Sequence, residues 1–260
     1  MLPNFIIVGA PKSGTTSLYH YLSGHPEVFM SNPKEVNFFS GNEIQAQGLF
    51  YDSFQVHSVA EYETLFEKAE EAKAVGEGSV SYLFYPHTPK KIHKLLPNVK
   101  IIILLRNPLD RGYSHYLMDY RLGLVSLSYD EIVHKSGSHK NIDLYYQQYV
   151  ELGLYYEQVK RYLDLFGPEQ VKIYFQDDLH KNTENIVQNL FTFLEVNPTI
   201  KLSLEKEHNT FSMPKTALIH KLYSAGWLRS TLTALLPERL KEILIDKLFE
   251  RKKSRNSILD

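Results

Sequence analysis

The 260-residue chain contains no cysteine. Disulfide bonds, thiolate catalysis and cysteine-based metal sites are therefore excluded for these residues. The sequence also lacks any run of about 18 consecutive apolar residues, so it predicts no membrane-spanning helix. Neither sign of charge is in excess, since 29 lysines and arginines accompany 30 aspartates and glutamates and the formal net charge is −1. This balance argues against general nucleic-acid binding, and no nucleic-acid partner is expected.

The composition is otherwise that of a globular protein, with 43% hydrophobic and 23% charged residues. Apolar β-rich runs alternate with helical patterns, which favours an α/β fold with a central parallel sheet flanked by helices on both faces. A single P-loop-like domain is expected over residues 1–260. The predicted strands are Phe5–Val8, Val28–Met30, Ala74–Gly76, Lys100–Leu105 and Val171–Tyr174. The predicted helices are Thr15–Ser23, Ala60–Lys68, Pro89–Leu95, Asp110–Leu122, Leu152–Leu165, Thr183–Leu194, Lys215–Ala225 and Glu238–Glu250.

Three segments depart from this alternation. Residues 123–150 are polar with weak periodicity, and they are expected to form a loop and short-helix excursion over the site. Residues 197–215 form a long irregular connection, and such connections are often functional. Residues 236–260 are expected to form a C-terminal helix with a basic tail, interpreted as a solvated helix end. The chain passes from Met1 directly to the first strand without signal-peptide features, so a cytoplasmic location is expected.

The most informative segment follows the first predicted strand, where the sequence reads Gly-Ala-Pro-Lys-Ser-Gly-Thr-Thr-Ser. It predicts a buried strand, a tight turn and a helix with hydroxyl groups in its first turn. Backbone N–H groups and the helix dipole favour an anion at such an N-terminus, and Lys12 adds a positive charge. The residues expected to form this phosphate cradle are Pro11, Lys12, Ser13, Gly14, Thr15, Thr16 and Ser17.

The cradle departs from the nucleotide P-loop. Gly9 and Gly14 have the required spacing, but Thr15 stands where the P-loop has its lysine, and Lys12 precedes the second glycine. With the lysine and the Mg²⁺-binding hydroxyl out of register, ATP or GTP hydrolysis is a poor interpretation. The alternative without function is a glycine-rich strand-to-helix turn that binds nothing.

A second motif, Arg-Asn-Pro-Leu-Asp-Arg-Gly-Tyr-Ser-His-Tyr, begins at Arg106 and follows the apolar run Ile101–Leu105. Arg106 is expected at the carboxyl end of a central strand, which is where ligands bind in open α/β sheets. Its guanidinium is a planar fork suited to a phosphate, and Ser114 adds a hydroxyl donor. Alone, Arg106 could equally cap the sheet through a structural carboxylate. Together with the cradle, it implies a ligand with phosphates at both ends of a nucleoside.

These two motifs resemble the phosphate-binding segments of the sulfotransferase family, in the family's order and at a family-like separation. That family uses 3′-phosphoadenosine-5′-phosphosulfate (PAPS) as its sulfuryl donor. The resemblance extends from Phe5 to about Tyr223. It implies that the cradle holds the 5′-phosphosulfate and that Arg106 and Ser114 hold the 3′-phosphate. A partial similarity at 208–215 to a nucleotide-closing loop implies that Lys215 contacts the 3′-phosphate; otherwise Lys215 is a solvated lysine at a helix start.

The catalytic base is expected to be a carboxylate or histidine near the sulfate. The sequence Lys34-Glu35-Val-Asn-Phe-Phe resembles the motif of glycan-type members whose glutamate is the proposed base. Glu35 is therefore predicted as the base, and Lys12 as the group that stabilises the leaving phosphate. A surface ion pair of Glu35 with Lys34 or Lys12 is the alternative. Glu77, in a segment similar to the family's GE-x-[ST]-x-x-Y, could assist or replace Glu35.

The acceptor side is implied by position within the family. Residues expected to contact the acceptor are Glu77, Tyr82, His115 and Tyr145, with 123–150 as a lid. His20 and His115 are histidine alternatives for the base, and both are more simply explained as structural. We expect a hydroxyl, or less readily an amine, of a small molecule, polyketide or carrier-tethered acyl chain, lipid or sugar, as in secondary metabolism. No metal is expected, because no histidine pair has ligand spacing. The oligomeric state stays open.

Two other functions are compatible with a phosphate cradle. A small-molecule kinase predicts dependence on ATP and Mg²⁺ and an acidic residue after the central strand, where this sequence has Arg106. An inactive nucleotide-binding scaffold is opposed by the presence of Lys12, Glu35 and Ser114. A PAPS-dependent sulfotransferase is therefore the function that the sequence predicts.

Overall fold

The computed structural model describes residues 1–48, 56–69, 71–202, 212–216, 223 and 249–251. The chain separates into two compact units. The first unit consists of Met1–Arg111 and Leu152–His208, and the second of Gly112–Glu151 and Asn209–Asp260. A single domain over residues 1–260 stays a prediction.

The first unit is built around a five-stranded parallel sheet with the order β2-β3-β1-β4-β5. The strands are β1 (Phe5–Gly9), β2 (Val28–Met30), β3 (Ala74–Gly78), β4 (Lys100–Leu105) and β5 (Val171–Phe175). All five were predicted, and their limits differ from the prediction by at most about two residues. In the central strand β1, Phe5 pairs with Gly76 on one side and with Lys100 on the other.

The helices follow the predicted pattern for most of the chain. They are α1 (Thr15–Ser23), α2 (Gly41–Gln47), α3 (Val59–Thr64), α4 (Thr88–Leu95), α5 (Pro108–Leu122), α6 (Tyr129–Val133), α7 (Ile142–Tyr149), α8 (Tyr155–Phe166), α9 (Gln176–Lys181) and α10 (Thr183–Phe193). Short 3-10 helices occupy Glu67–Ala69 and Glu151–Gly153. The sequence did not predict α2 or α9, and the predicted helix Ala60–Lys68 is divided between α3 and the first 3-10 helix.

Helices cover both faces of the sheet, because successive strand residues alternate between two hydrophobic clusters. The first cluster includes Ile6, Val8, Ile101 and Ile103 with the helical residues Tyr62, Ile92 and Tyr162. The second includes Phe5, Ile7, Ile102 and Leu104 with Leu18, Leu190 and Phe191. Every residue from Phe5 to Val8 is fully buried, which explains why this strand is apolar throughout. The predicted α/β fold with a parallel sheet between helices is confirmed.

The second unit contains α6 and α7, as the predicted short-helix excursion requires, and the part of α5 that follows Arg111. A capping box begins α6, in which Ser128 and Glu131 exchange hydrogen bonds. Two further strands, β6 (Ser212–Pro214) and β7 (Phe249–Arg251), pair antiparallel. The predicted helix Glu238–Glu250 is therefore wrong at its last two residues, where main-chain pairing with β6 replaces helical bonds. Its other residues, and the basic tail after Arg251, lie outside the described residues.

The predicted helix Lys215–Ala225 is described at Lys215, Thr216 and Tyr223 alone. Lys215 and Thr216 form a bend, so the helix does not begin there, whereas Tyr223 is helical. In the described part of the chain, no helix combines the length and apolar character needed to cross a membrane.

Candidate active site

The segments that carry the predicted motifs of the first unit all leave the carboxyl ends of its parallel strands. Glu35 follows β2, the cradle follows β1 and Arg106 follows β4. Glu77 is the second-last residue of β3. Because parallel strands end at one edge of the sheet, the topology brings these segments to one side. β1 lies where the strand order reverses, which is the position of the ligand crevice in open α/β sheets.

The cradle has the backbone geometry of an anion site. Gly14 has φ 92° and Lys12 has φ 64°, so both adopt the left-handed conformation that glycine tolerates and lysine rarely does. Gly14 is the N-cap of α1, and as a glycine it supplies no side-chain cap. A helix N-terminus after such a glycine directs its first N–H groups towards the position of an anion. The N–H of Ala10 donates to the carbonyl of Leu104 at 2.7 Å and fixes the loop to β4.

Two buried hydroxyl groups adjoin the cradle. Ser13 is fully buried, and its Oγ makes no hydrogen bond with the described residues; the same holds for Tyr155 Oη. Burial raises the pKa of Tyr155; the charge of Arg111 opposes that rise, and the nearby Ser13 hydroxyl, which does not reach hydrogen-bond geometry, opposes it to a smaller extent. Unsatisfied buried polar groups are costly in folded proteins. These hydroxyls therefore fit a site that a phosphate or sulfate group completes.

Arg106 joins the second motif to the cradle. Its Nη1 donates a hydrogen bond to the carbonyl oxygen of Lys12 at 3.2 Å. Burial lowers the pKa of Arg106, and the charges of Asp110 and Asp177 oppose this effect. The guanidinium stays charged, because an arginine pKa is far above neutrality. The structure thus brings together the cradle and the arginine that the sequence assigned to two separate anion sites.

Beyond Arg106 lies an open groove of about 400 Å³. It is lined by Arg106, Asn107, Pro108, Tyr155, Phe175, Asp177, Asp178 and Lys181. Phe175 is 54% exposed at the end of β5, which is unusual for a large aromatic side chain. The sequence analysis missed Phe175 and Lys181. The available signal in the sequence was weak, because it consisted only of the aromatic Phe175 directly after the predicted strand Val171–Tyr174.

Glu35 lies in the loop after β2 and has two partners. Its Oε1 accepts a hydrogen bond from Lys34 Nζ at 2.7 Å, and its Oε2 accepts one from the backbone N–H of Val80 at 2.8 Å. The side chain keeps 26% of its surface exposed. The ion pair with Lys34 that the sequence analysis named as an alternative is therefore present. A partly exposed carboxylate held at both oxygens is also a suitable proton acceptor, so the predicted base stays a proposal.

Glu77 and Tyr82 are fully buried. Tyr62 Oη donates to Glu77 Oε1 at 2.9 Å, and Ser79 Oγ lies 3.4 Å from Oε2. Burial raises the pKa of Glu77 to about 7; its hydrogen bonds, led by that from Tyr62, lower it, and the charge of Glu35 adds to the rise. Neither Glu77 nor Tyr82 presents surface to an acceptor, so their predicted acceptor contacts have no support in this geometry.

The other predicted residues lie in the second unit, namely Ser114, His115, Tyr145 and Lys215. His115 is buried, with its Nε2 3.8 Å from Asp119 Oδ2. Tyr145 is buried and donates through its hydroxyl to the carbonyl of Leu124 at 3.2 Å. Ser114 is half-buried on α5 and Lys215 is exposed. Their contacts with a ligand stay predictions. Among the described residues, no three His, Asp or Glu side chains lie together as a metal site would require.

Comparison with known proteins identifies the family. A family model described as a sulfotransferase domain matches residues 2–224. The chain belongs to the sulfotransferase family. The family suggested by the two motifs is therefore confirmed, and its members use PAPS as sulfuryl donor.

Sulfotransferases of known structure and sequence resemble this chain over different lengths. The crystal structure of a sulfotransferase from Alicyclobacillus acidocaldarius superposes with a TM-score of 0.68 and 33% identity, covering 90% of this chain and 91% of that one. The human bifunctional heparan sulfate N-deacetylase/N-sulfotransferase 3 is 30% identical over 209 residues, which are 76% of this chain and 23% of that protein. The membrane-associated sulfotransferase kil1 of Dictyostelium discoideum is 36% identical over 115 residues, 44% of this chain and 22% of that protein. The chain thus spans about a fifth of the length of these curated relatives.

Proposed function

We propose that this sulfotransferase moves the sulfuryl group of PAPS to a hydroxyl of its acceptor, with the nucleotide lying across the carboxyl ends of β1 and β4. The observation that carries the proposal is the hydrogen bond from Arg106 to the carbonyl of Lys12. This bond holds the arginine expected to bind the 3′-phosphate against the cradle expected to bind the 5′-phosphosulfate. The buried Ser13 hydroxyl, which makes no hydrogen bond with the described residues, and the glycine N-cap of α1 support an anion at the same place.

PAPS supplies the sulfuryl group, and the protein positions it and neutralises charge. Glu35 takes the proton of the acceptor hydroxyl as the new oxygen–sulfur bond forms. The bond from sulfur to the bridging phosphate oxygen breaks in the same step, and Lys12 stabilises the charge that develops on that oxygen. Arg106 holds the 3′-phosphate of the product, 3′-phosphoadenosine-5′-phosphate (PAP).

The proposed acceptors are hydroxyl compounds among small molecules, polyketides, carrier-tethered acyl chains, lipids and sugars. An amine is the second acceptor class, because the name of the human relative includes N-sulfotransferase. A cytoplasmic location is proposed from the sequence alone. The similarity to a membrane-associated relative argues against this location.

The test separates nucleotide binding from turnover. PAP alone is expected to raise the melting temperature in a dose-dependent way. Arg106→Ala is expected to weaken PAP binding about tenfold or more, because a charge-assisted contact is lost. Lys12→Ala is expected to lower turnover about 100-fold with a smaller loss of PAP affinity, as for a group acting mainly on the transition state. Turnover is measured as PAP release from PAPS with a panel of hydroxyl and amine acceptors.

Lys73→Ala is the matched control, because Lys73 precedes β3 at the opposite edge of the sheet and pairs with Glu27. It should leave both measurements unchanged. A thermal shift with ATP and Mg²⁺ but not PAP would indicate a kinase, and a shift with neither would indicate a scaffold. Equal losses of affinity with normal turnover in both site variants would contradict the division of roles.

A further inference from the structure

The loop that carries Glu35 is held by the residues that follow β3. We call residues 35–40 the Glu35 loop and residues 79–82 the template segment. Backbone and side-chain hydrogen bonds join the two along their whole length. The Glu35 loop has no strand or helix of its own before α2, so its N–H groups need acceptors from elsewhere. The template segment supplies them.

Ser79 makes the central contacts in this arrangement. Its Oγ accepts hydrogen bonds from the N–H groups of Val36 at 3.1 Å and Asn37 at 3.0 Å. The Ser79 hydroxyl donates to Glu77 Oε2, with 3.4 Å between the two oxygen atoms. A serine hydroxyl has one proton to donate and two lone pairs to accept with, so all of its hydrogen-bonding capacity is used. Since Ser79 is fully buried, water cannot take over these bonds.

The carboxylate of Glu35 is held by the neighbouring residue of the template. Val80 N–H donates to Glu35 Oε2, while Ser79 holds the peptide that follows Glu35. Two consecutive residues therefore fix the backbone and the side chain of Glu35. Further along, Ser81 Oγ donates to Asn37 Oδ1 at 2.6 Å, which orients a residue in the left-handed conformation with φ 54°.

Glu77 fixes the orientation of Ser79. Its Oε1 accepts from Tyr62 of α3, so the carboxyl cannot turn without losing that bond, and its Oε2 faces the Ser79 hydroxyl. The chain of contacts runs from α3 through Glu77 and Ser79 to the Glu35 loop. Glu77 thus has a use that needs no contact with an acceptor.

We propose that Ser79 is a positioning residue for Glu35: its hydroxyl holds the Glu35 loop so that the carboxylate meets the acceptor proton. This inference rests on the proposed function, in which Glu35 is the base. Loss of the hydroxyl leaves the N–H groups of Val36 and Asn37 without an acceptor, and the loop must move to satisfy them. A displacement of about 1 Å in a reacting group costs about 100-fold in rate.

The experiment compares Ser79→Ala, Ser79→Thr and Glu35→Gln, alone and combined. Ser79→Ala should lower kcat about 10- to 100-fold, while KM for PAPS and PAP affinity change less than about twofold. Ser79→Thr keeps the hydroxyl and should recover most of kcat. In the Glu35→Gln background, Ser79→Ala should cost less than about threefold, because the group that Ser79 positions is already absent.

The matched control is Gln170→Ala. The Gln170 side chain donates to the carbonyls of Pro97 and Val99, both at 3.1 Å, so this variant also loses two hydrogen bonds to a neighbouring loop. That loop precedes β4, at the edge of the sheet opposite the site. Gln170→Ala should lower the melting temperature with kcat unchanged. If Ser79→Ala does not fold, Ser79→Cys, a near-isosteric weak acceptor, should show the same loss of kcat.

The outcomes separate the two proposals. If Glu35→Gln keeps normal kcat, the proposed base is wrong. If Glu35→Gln is impaired but Ser79→Ala lowers kcat by the same factor in Glu35→Gln as in the wild type, the proposed function stands. The positioning role of Ser79 is then refuted. A loss of kcat in Gln170→Ala equal to that in Ser79→Ala would also refute the positioning role, because a general loss of stability would then suffice.

Discussion

Replacing Glu77 with glutamine should change how the stability of this protein depends on pH. Glu77 is fully buried on β3, and burial raises its pKa from the ordinary value of 4.5 to about 7. Glutamine has the same shape and cannot ionise. The variant Glu77→Gln therefore removes one titration while leaving a polar group beside Tyr62 and Ser79.

The sign and size of the effect follow from proton binding in the two states. Between pH 4.5 and 7 the folded protein keeps a proton on Glu77 that the unfolded chain has released. The free energy of unfolding of the wild type then falls by about 1.4 kcal/mol per pH unit, or about 3 kcal/mol over this window. This contribution is fully present below pH 4.5 and is lost as the pH rises through about 7. The variant lacks this loss.

Urea denaturation of both proteins at several values between pH 4 and pH 8 measures this difference. The free energy of unfolding of Glu77→Gln minus that of the wild type should rise by about 3 kcal/mol across the window, whatever its value at low pH. Other groups titrate in both proteins and cancel. Glu195→Gln is the control, because Lys100 lowers the pKa of the exposed Glu195 below its ordinary value of 4.5. Glu195 then titrates below this window, so the difference for Glu195→Gln should stay nearly level across it. Parallel curves for Glu77→Gln and the wild type would refute the buried, proton-holding carboxyl.

Two further changes test the same core. Tyr62→Phe removes the hydroxyl whose hydrogen bond lowers the pKa of Glu77, so the pKa of Glu77 should rise in this variant. The pH-dependent loss of stability should then extend to higher pH in the same titration. An unchanged profile would contradict this contact. Gly76→Ala would place a Cβ 2.2 Å from the buried ring of Phe5 and should lower the free energy of unfolding by about 2 kcal/mol, measured in urea. Gly78→Ala, whose Cβ would meet its nearest atom at 3.5 Å, should cost clearly less, and equal costs would show that the clash is not the cause.

Some of the site could be predicted because its signals are local. The apolar run Phe5–Val8, the glycine at 14 and the hydroxyl residues after it specify a strand, a turn and a helix start within about ten consecutive residues. The structure places α1 at Thr15–Ser23, as predicted. Arg106 could likewise be placed at a strand end, because an uninterrupted apolar run precedes it.

Other features escaped prediction because they depend on residues far apart in the sequence. Glu77 was expected to follow the third strand and to contact an acceptor, but it lies within β3, where it is fully buried and accepts a hydrogen bond from Tyr62 of α3. Phe175 meets Arg106 in one groove only because β5 is placed beside β4. The helices α2 and α9 have seven and six residues, too few for a periodic pattern to stand out.

The sequence by itself determined the family, the alternation of strands and helices, and the two anion-binding motifs. Each of these depends on short stretches of consecutive residues, whose backbone preferences and hydrogen-bond donors act locally. Only the tertiary structure decided which side chains those motifs meet. The order of the strands set Arg106 against the Lys12 carbonyl, and the packing of α3 on β3 turned Glu77 into a buried support for the loop of Glu35. The physical reason is that burial and charge depend on every element packed around a group, and those elements come from all parts of the chain.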